Sequence, residues 1–196
     1  RRPMDLFMPE MRHGVQLCCK RVFIMDELKE LLPSYLRFVR GVVDSADLSL
    51  NVSREILQED RIVRAIRKAL VGKLLAHISE FDDETFLKFY KEFGIVLKEG
   101  VHTDFDNRQK IAKLIRYKTT TSEEKLKSLD EYIADMAEGE DTIYYLTGDN
   151  PSTIAKSPHL EALRKRGIEV LLMTDPVDEF VVDALGEYEG KKLRSA

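Results

Sequence analysis

The chain has 196 residues, of which 43% are hydrophobic and 34% are charged, and these proportions are ordinary for a folded globular protein. The formal net charge of −4 argues against a general nucleic-acid binder, because such proteins more often carry a strong basic excess. Every apolar run falls short of the roughly 20 residues that cross a bilayer. No apolar core follows the first arginines, so neither a membrane span nor a secretory signal is predicted.

The chain start and the cysteines indicate a piece of an intracellular protein. Residues 1–5 read as a cut inside a longer chain. The two cysteines, Cys18 and Cys19, are neighbours, and neighbours on a strand point to opposite faces. A disulfide between them is therefore not expected, and a reducing, cytoplasmic location fits best.

The first sixty residues read as α/β material. Apolar runs predict strands over residues 17–25 and 37–43, with a short helix over residues 27–32 between them. Gly41 and the polar pair at 44–45 are interpreted as breaks.

From Asp60 onward the apolar period becomes that of helices. The first predicted helix has one apolar stripe with spacings of three and four residues, made of Val63, Ile66, Leu70, Leu74 and Ile78. A second helix carries four aromatic residues on one face, which we interpret as core, and is expected to end at Gly94. These aromatic residues are Phe86, Phe89, Tyr90 and Phe93.

A third helix and a β-α-β unit complete the predicted elements. The helix over residues 107–116 places Ile111, Leu114 and Ile115 inward, and the polar run over residues 118–124 reads as a loop and boundary. Strands over residues 142–146 and 168–173 then flank one helix over residues 151–166. Pro151 suits its first turn and Gly167 its exit, so a mostly parallel sheet is predicted.

The strand ends of this last unit suggest an enzyme. Asp149 and Asp175 follow the two strands, at the edge where open α/β sheets bind ligands. They could act as metal or acid–base carboxylates in a small phosphate- or nucleotide-handling α/β enzyme domain. The alternative, which we favour, is that both cap the following helices, because no glycine-rich phosphate cradle with lysine follows the first strand. The scattered histidines do not form a metal motif.

One motif presents a cation and an amide together. Arg54 and Gln58 are four residues apart at a predicted helix start, so both side chains share one face and could bind an anionic phosphate. The alternative is that Asn51 or Ser53 caps the helix while Arg54 is only solvated.

The stretch at 35–50, followed by Asn-Val-Ser-Arg-Glu-Ile-Leu-Gln at 51–58, resembles the signature of the heat-shock-protein-90 chaperones, in their bacterial, HtpG-like branch. Ser49 stands where that family usually has proline. Nearly the whole chain is covered by the resemblance. Five other stretches are similar, in family order, to parts of the family's middle domain: residues 19–26, 93–100, 143–148, 156–163 and 170–179.

The resemblance implies the middle domain of an ATP-dependent chaperone. ATP and magnesium would be bound by an N-terminal domain, and a C-terminal domain would hold the dimer. Arg54 would reach the γ-phosphate, with Gln58 and Asn51 as polar companions and Phe23 supporting the catalytic loop. The fragment alone is then expected to bind no cofactor and to be inactive.

The resemblance also implies client contact and a domain layout. Phe180 lies in the helix after Asp175, which in the bacterial branch resembles one implicated in client binding; the alternative is that this helix only packs on its own sheet. Expected partners are the other two domains, client proteins and co-chaperones, but neither nucleic acid nor membrane. The expected layout is the C-terminal part of a ribosomal-protein-S5-like subdomain over 1–60, connecting helices over 61–117, and a small αβα subdomain over 118–196.

Overall fold

The computed structural model describes residues 14–26, 30–48, 61–122 and 125–196. Helices and β-sheets are combined in this part of the chain, which confirms the α/β class. The chain divides into two compact units, Arg1–Val96 and Leu97–Ala196.

In the described part of the first unit, three strands form a sheet. They are β1 (Val15–Cys19), β2 (Val22–Asp26) and β3 (Gly41–Asp44), in the order β2-β1-β3. β1 pairs antiparallel with β2 and parallel with β3. Alternate residues of β1 are buried, as expected for a strand with one face on a core. Cys19 is one of them, and its Sγ donates a hydrogen bond to the carbonyl oxygen of Leu48 at 3.0 Å.

A tight turn at Lys20 and Arg21 separates β1 from β2, so the single strand predicted over residues 17–25 is wrong. Both turn residues have positive φ, 49° and 66°, which a two-residue hairpin turn of this kind requires. The turn lacks the Asn-Gly or Asp-Gly pair by which such turns are usually recognised in a sequence. It is instead stabilised from a distance, because the carboxylate of Asp44 accepts the backbone N–H of Arg21 at 3.0 and 3.2 Å.

The strand predicted over residues 37–43 begins later than expected. A 3-10 turn, Ser34–Leu36, precedes it, and β3 starts at Gly41, which is therefore the beginning of a strand and not a break. The predicted helix over 27–32 lies partly outside the described residues. Its described end, residues 30–32, forms a turn and a bend.

Helix α1 spans Arg61–Ser79 and confirms the helix predicted from Asp60 onward. Its buried residues are Val63, Val71, Leu75 and Ile78. The other three residues of the predicted stripe, Ile66, Leu70 and Leu74, are only half-buried. Apolar residues occupy a wide arc of this helix, so the packing of neighbouring segments decides which of them are buried.

Helix α2 spans Asp83–Thr103, and its aromatic stripe packs as predicted. Phe38, which precedes β3, stacks on Phe93 with ring centroids 4.8 Å apart, and Phe86 stacks on Tyr90 at 5.8 Å. These contacts make the stripe part of the core of the first unit.

Gly94 does not end α2, because the helix continues to Thr103. The residue is buried, and an added Cβ would lie 2.9 Å from Cε1 and Cζ of Tyr90. Glycine at this position therefore leaves room for the Tyr90 ring one turn earlier. In the sequence, the same glycine resembles a signal that ends a helix.

Gly94 and Gly72, both within helices, should respond oppositely to replacement by alanine. We expect Gly94→Ala to lower the free energy of unfolding by about 1–3 kcal/mol, because the new methyl group overpacks Tyr90. Gly72→Ala in α1 is the matched control, since nothing lies within 4 Å of its added Cβ. That variant should gain about 0.5–1 kcal/mol from helix propensity. Urea unfolding followed by circular dichroism measures both, and equal shifts would contradict the packing role.

Six strands form the sheet of the second unit, in the order β5-β4-β7-β6-β9-β8. The central strand β6 runs parallel to β7 and β9, while the outer pairs are antiparallel. All three residues of β7 are buried, so the core lies around it. The strands are β4 (Arg116–Thr119), β5 (Lys127–Ser128), β6 (Thr142–Thr147), β7 (Leu171–Met173), β8 (Glu187–Tyr188) and β9 (Lys191–Ser195).

Five short α-helices follow α2 among the residues of this unit that the structure describes. Ser128 and Glu131 form a reciprocal capping box at the start of α4, and this Ser-x-x-Glu motif is visible in the sequence. The helices are α3 (Arg108–Ala112), α4 (Leu129–Ala134), α5 (Pro151–Ile154), α6 (Glu161–Lys165) and α7 (Asp178–Leu185).

The predicted crossover between parallel strands is confirmed, because β6 and β7 pair in parallel. The prediction of a mostly parallel sheet is wrong, since three of its five strand pairings are antiparallel. The single helix predicted for the crossover over 151–166 is also wrong, since the 3-10 turn Pro158–Leu160 separates α5 from α6. Pro158 lacks the N–H that a continuous helix needs. Pro151 does occupy the first turn, and Gly167 leaves α6 with φ of 71°, both as predicted.

The third predicted helix is shorter than expected and ends at Ala112, although its inward residues are correct. Ile111, Leu114 and Ile115 are all buried. Lys118 and Thr119, assigned to a loop, belong to strand β4 and pair with β7. Pairing with an already buried strand gives this polar stretch its structure, which its own composition does not predict.

Candidate functional site

Helix α7 presents one aromatic side chain to solvent. Val181, Val182 and Leu185 are buried, whereas Phe180 is 55% exposed. The Phe180 ring lies beside the imidazole of His102, with ring centroids 5.6 Å apart. The helix therefore packs on its own unit mainly through Val181, Val182 and Leu185, and more than half of Phe180 stays exposed.

A buried lysine holds the beginning of α7. Lys98 on α2 places Nζ 2.7 Å from Oδ1 of Asp178 and 2.8 Å from Oδ2 of Asp175. The side chains of Lys98 and Asp178 are only 3% and 1% exposed. Nζ also lies 4.2 Å from the centroid of the Tyr117 ring. Since charges removed from water need close partners, this ion cluster fixes where α7 starts.

The two aspartates are also joined to each other. The other carboxylate oxygen of Asp178 accepts the backbone N–H of Asp175 at 2.9 Å, and the carbonyl of Asp175 accepts the backbone N–H of Asp178 at 2.9 Å. Burial raises the pKa of Asp178 above its ordinary value, and the ammonium of Lys98 opposes that rise. The ionised form of Asp178 thus depends on Lys98.

Asp149 and Asp175 lie at the strand ends, as the order of elements predicted, but neither caps a helix. Asn150 caps α5, with its Oδ1 accepting the N–H of Ser152 at 2.9 Å, and α7 has no side-chain cap. The capping interpretation is therefore wrong for both. The Asp175 carboxylate accepts a hydrogen bond from Lys98, and Asp149 is exposed to solvent.

Gly148 precedes Asp149 for a reason of packing. An added Cβ would collide with the side chain of Ile154 on α5. The glycine at this strand end therefore lets α5 approach, and its presence does not indicate a phosphate cradle.

The residues predicted for the catalytic loop are only partly described. Arg54, Gln58 and Asn51 lie outside the described residues. Phe23, predicted to support the loop, lies on β2 and is 53% exposed, next to Val22 at 52%. Val22 and Phe23 thus form an exposed apolar pair on the sheet of the first unit.

Neither a metal site nor a membrane span is found within the described ranges. In residues 14–26, 30–48, 61–122 and 125–196, no three or more His, Cys, Asp or Glu side chains are grouped to hold a metal ion. Over the same part of the chain, every helix is too short or too polar to cross a bilayer.

Lys98 is the residue that sequence reasoning missed. It lies on the buried face of α2, four residues after Gly94 and three before Val101, where an apolar residue is expected. A lysine inside such a stripe was the available signal, because burial of an ammonium demands acidic partners.

Comparison with known proteins places the whole chain in one family. A family model described as Hsp90 protein matches residues 1–196. The relative named Chaperone protein HtpG from Geobacter sulfurreducens is 54% identical over 198 residues, covering 99% of this chain and 30% of that protein. Proteins of the same name from Nocardia farcinica and Legionella pneumophila (strain Paris) are each 51% identical over 98% of the chain, which covers 30% and 32% of their lengths.

The chain therefore belongs to the Hsp90 protein family. It spans about a third of the length of these relatives.

Proposed function

We propose that this chain is the middle part of an ATP-dependent molecular chaperone, in which it contacts unfolded or partly folded client proteins and lends an arginine to an ATPase site in another domain. The relatives named Chaperone protein HtpG support the chaperone role. In this proposal ATP and magnesium are bound by an N-terminal domain, and a C-terminal domain forms the dimer. The chain alone is expected to hydrolyse no ATP.

The observation that carries the client-binding part is the exposure of Phe180. A phenylalanine that is 55% exposed on an otherwise packed helix contributes little to the fold and leaves apolar surface for a partner. Its helix is fixed by the Lys98 ion cluster, so the ring is presented on a rigid element. Rigid aromatic side chains are frequent anchors of protein interfaces.

The alternative of a small phosphate-handling enzyme has less support. The Asp175 carboxylate is held 2.8 Å from Lys98 Nζ, and Gly148 serves the approach of α5. Of the two proposed carboxylates, Asp175 thus has a structural partner and only Asp149 is exposed to solvent.

Phe180→Ala tests the client-binding proposal. We expect binding of an unfolded client to weaken by about fivefold or more, because alanine removes the exposed ring, while the melting temperature stays unchanged. Fluorescence anisotropy of a labelled, permanently unfolded protein measures the affinity. Leu87→Ala is the control, since Leu87 is also exposed, at 45%, and lies on α2. Equal affinities of Phe180→Ala and the parent would reject the role.

Arg54 is proposed to act in trans. A guanidinium remains charged and can bind two phosphate oxygens at once, which suits the developing charge of phosphoryl transfer. Gln58 and Asn51 are proposed to complete the loop, and Phe23 to support it from β2. Co-chaperones are further proposed partners.

We also propose the domain layout of the family for this chain. Residues 1–60 would form the end of a ribosomal-protein-S5-like subdomain, 61–117 connecting helices, and 118–196 a small αβα subdomain. Expression of residues 118–196 alone tests the last boundary: cooperative unfolding of this fragment would support it. An unfolded fragment would contradict it, since Lys98, the buried partner of Asp178, precedes residue 118.

A further inference from the structure

A second exposed aromatic residue lies in the same unit as Phe180. Phe105, in the 3-10 turn Phe105–Asn107 after α2, is 78% exposed. No other large hydrophobic side chain in the described ranges exposes as large a fraction. A single exposed ring needs no explanation, but neighbouring exposed apolar side chains that form a patch mark interaction sites.

Contacts through Arg108 join Phe105 to α7. The guanidinium carbon of Arg108 lies 4.9 Å from the centroid of the Phe105 ring. Arg108 Nη1 donates to the carbonyl oxygen of Ala184 at 2.8 Å, and Nε donates to that of Val101 at 2.9 Å. Ala184 lies one helical turn after Phe180, on the same side of α7.

These residues form one surface, which we call the aromatic face: His102, Phe105, Arg108 and Phe180. His102 joins it through its contact with Phe180, at a centroid distance of 5.6 Å. Arg108 is only half-exposed. The Phe105 ring lies over its guanidinium and two of its donors are engaged by carbonyl groups, so it holds the face together while keeping its positive charge.

The exposed charges of the two segments that carry the aromatic face are mostly negative. Across residues 102–110 and 178–185, three carboxylates are exposed, Asp106, Glu179 and Asp183, against one exposed ammonium, Lys110. Glu179 and Asp183 are one turn apart on α7 and flank Phe180 in sequence. The charge complementary to this face is therefore positive.

We propose that the aromatic face binds extended, unfolded segments in which apolar side chains alternate with lysine or arginine, and that Phe105 is a second anchor beside Phe180. This inference rests on the proposed client-binding function and names the class of segment that the site takes. The two rings bury apolar side chains, while Glu179 and Asp183 attract the basic residues between them. One ring lies on α7 and the other in the turn after α2, and an extended segment suits this arrangement because its successive apolar side chains are spread along its length.

Three labelled peptides of equal length and equal apolar content test the proposal, with lysine, serine or glutamate at the alternating positions. By fluorescence anisotropy with the 196-residue chain, we expect the lysine peptide to bind about tenfold tighter than the glutamate peptide at low salt. Phe105→Ala should weaken its binding by about fivefold or more. Phe105→Leu, which keeps apolar bulk over Arg108, should retain most of the affinity.

The possible results distinguish failure of the aromatic-face proposal from failure of the proposed client-binding function. Leu87→Ala should leave peptide binding unchanged. If Phe180→Ala weakens binding but folded Phe105→Ala does not, the extended face is rejected while the client-binding function stands. If neither variant changes binding, both are rejected. Equal affinities for lysine and glutamate peptides, or a preference that survives Glu179→Gln with Asp183→Asn, would overturn the selection for basic segments.

Discussion

Replacing Arg54 by alanine in the full-length protein is expected to lower ATP turnover by roughly 10³-fold or more, while the affinity for ATP stays almost unchanged. The guanidinium is proposed to bind the terminal phosphate as charge develops during transfer, so its loss raises the barrier by about 4 kcal/mol without removing a ground-state contact. Phosphate release under saturating ATP gives turnover, and isothermal titration gives affinity.

Two variants sharpen the Arg54 experiment. Arg194→Ala removes an exposed arginine from β9 in the second unit and should leave turnover unchanged. Arg54→Lys keeps the charge but loses the planar fork, so it should recover only part of the rate. Unaltered turnover in Arg54→Ala would show that the residue has no part in hydrolysis.

Replacing Lys98 by methionine is expected to lower the free energy of unfolding by about 3–5 kcal/mol. Methionine fills much of the same volume but leaves the carboxylate of Asp178, whose side chain is 1% exposed, without its cation. A loss of this size is a large fraction of the stability of a typical domain. Urea unfolding of the 196-residue chain measures it.

The same helix supplies the control for Lys98. Lys88 pairs with Glu84 at 2.6 Å, but both side chains are more than 70% exposed, at 75% and 79%. Lys88→Met should therefore change the free energy of unfolding by no more than about 0.5 kcal/mol. Similar losses in Lys88→Met and Lys98→Met would contradict the argument from burial.

The deficit of Lys98→Met should also depend on pH. Burial holds the pKa of Asp178 above its ordinary value, and removing Lys98 raises this pKa further. A folded state with a raised pKa binds more protons than the unfolded chain, so its stability increases as pH falls. The difference between parent and variant should thus shrink from about pH 7.5 to about pH 5. Adding Asp178→Asn should restore part of the loss at neutral pH, and a deficit independent of both changes would exclude a stranded carboxylate as its cause.

Local patterns predicted much of the architecture correctly. The helical period gave α1 and most of α2, the aromatic stripe gave a core, and Pro151 with Gly167 bounded the crossover between β6 and β7. These features depend on residues within about two turns of each other, which is the range that periodicity covers. The motif at 51–58 likewise gave the family from sequence alone, and the family model confirms that assignment.

Two of the errors have a common physical cause. The turn at Lys20 and Arg21 depends on Asp44, which lies 23 residues beyond Arg21, and β4 depends on pairing with β7. In both cases a contact between distant segments overrides the local signal. Gly94 differs, because it contacts the Tyr90 ring one turn earlier in the same helix.

The sequence by itself determined the family, the α/β class and the helical periods, because motifs and spacings are local properties of the chain. Only the tertiary structure decided that Lys98 is buried against Asp175 and Asp178, 77 and 80 residues away, and that Phe105 and Phe180 remain exposed. Burial and charge pairing depend on which distant segments come together. That choice is made by the packing of the whole unit, so a pattern confined to one helix cannot predict it.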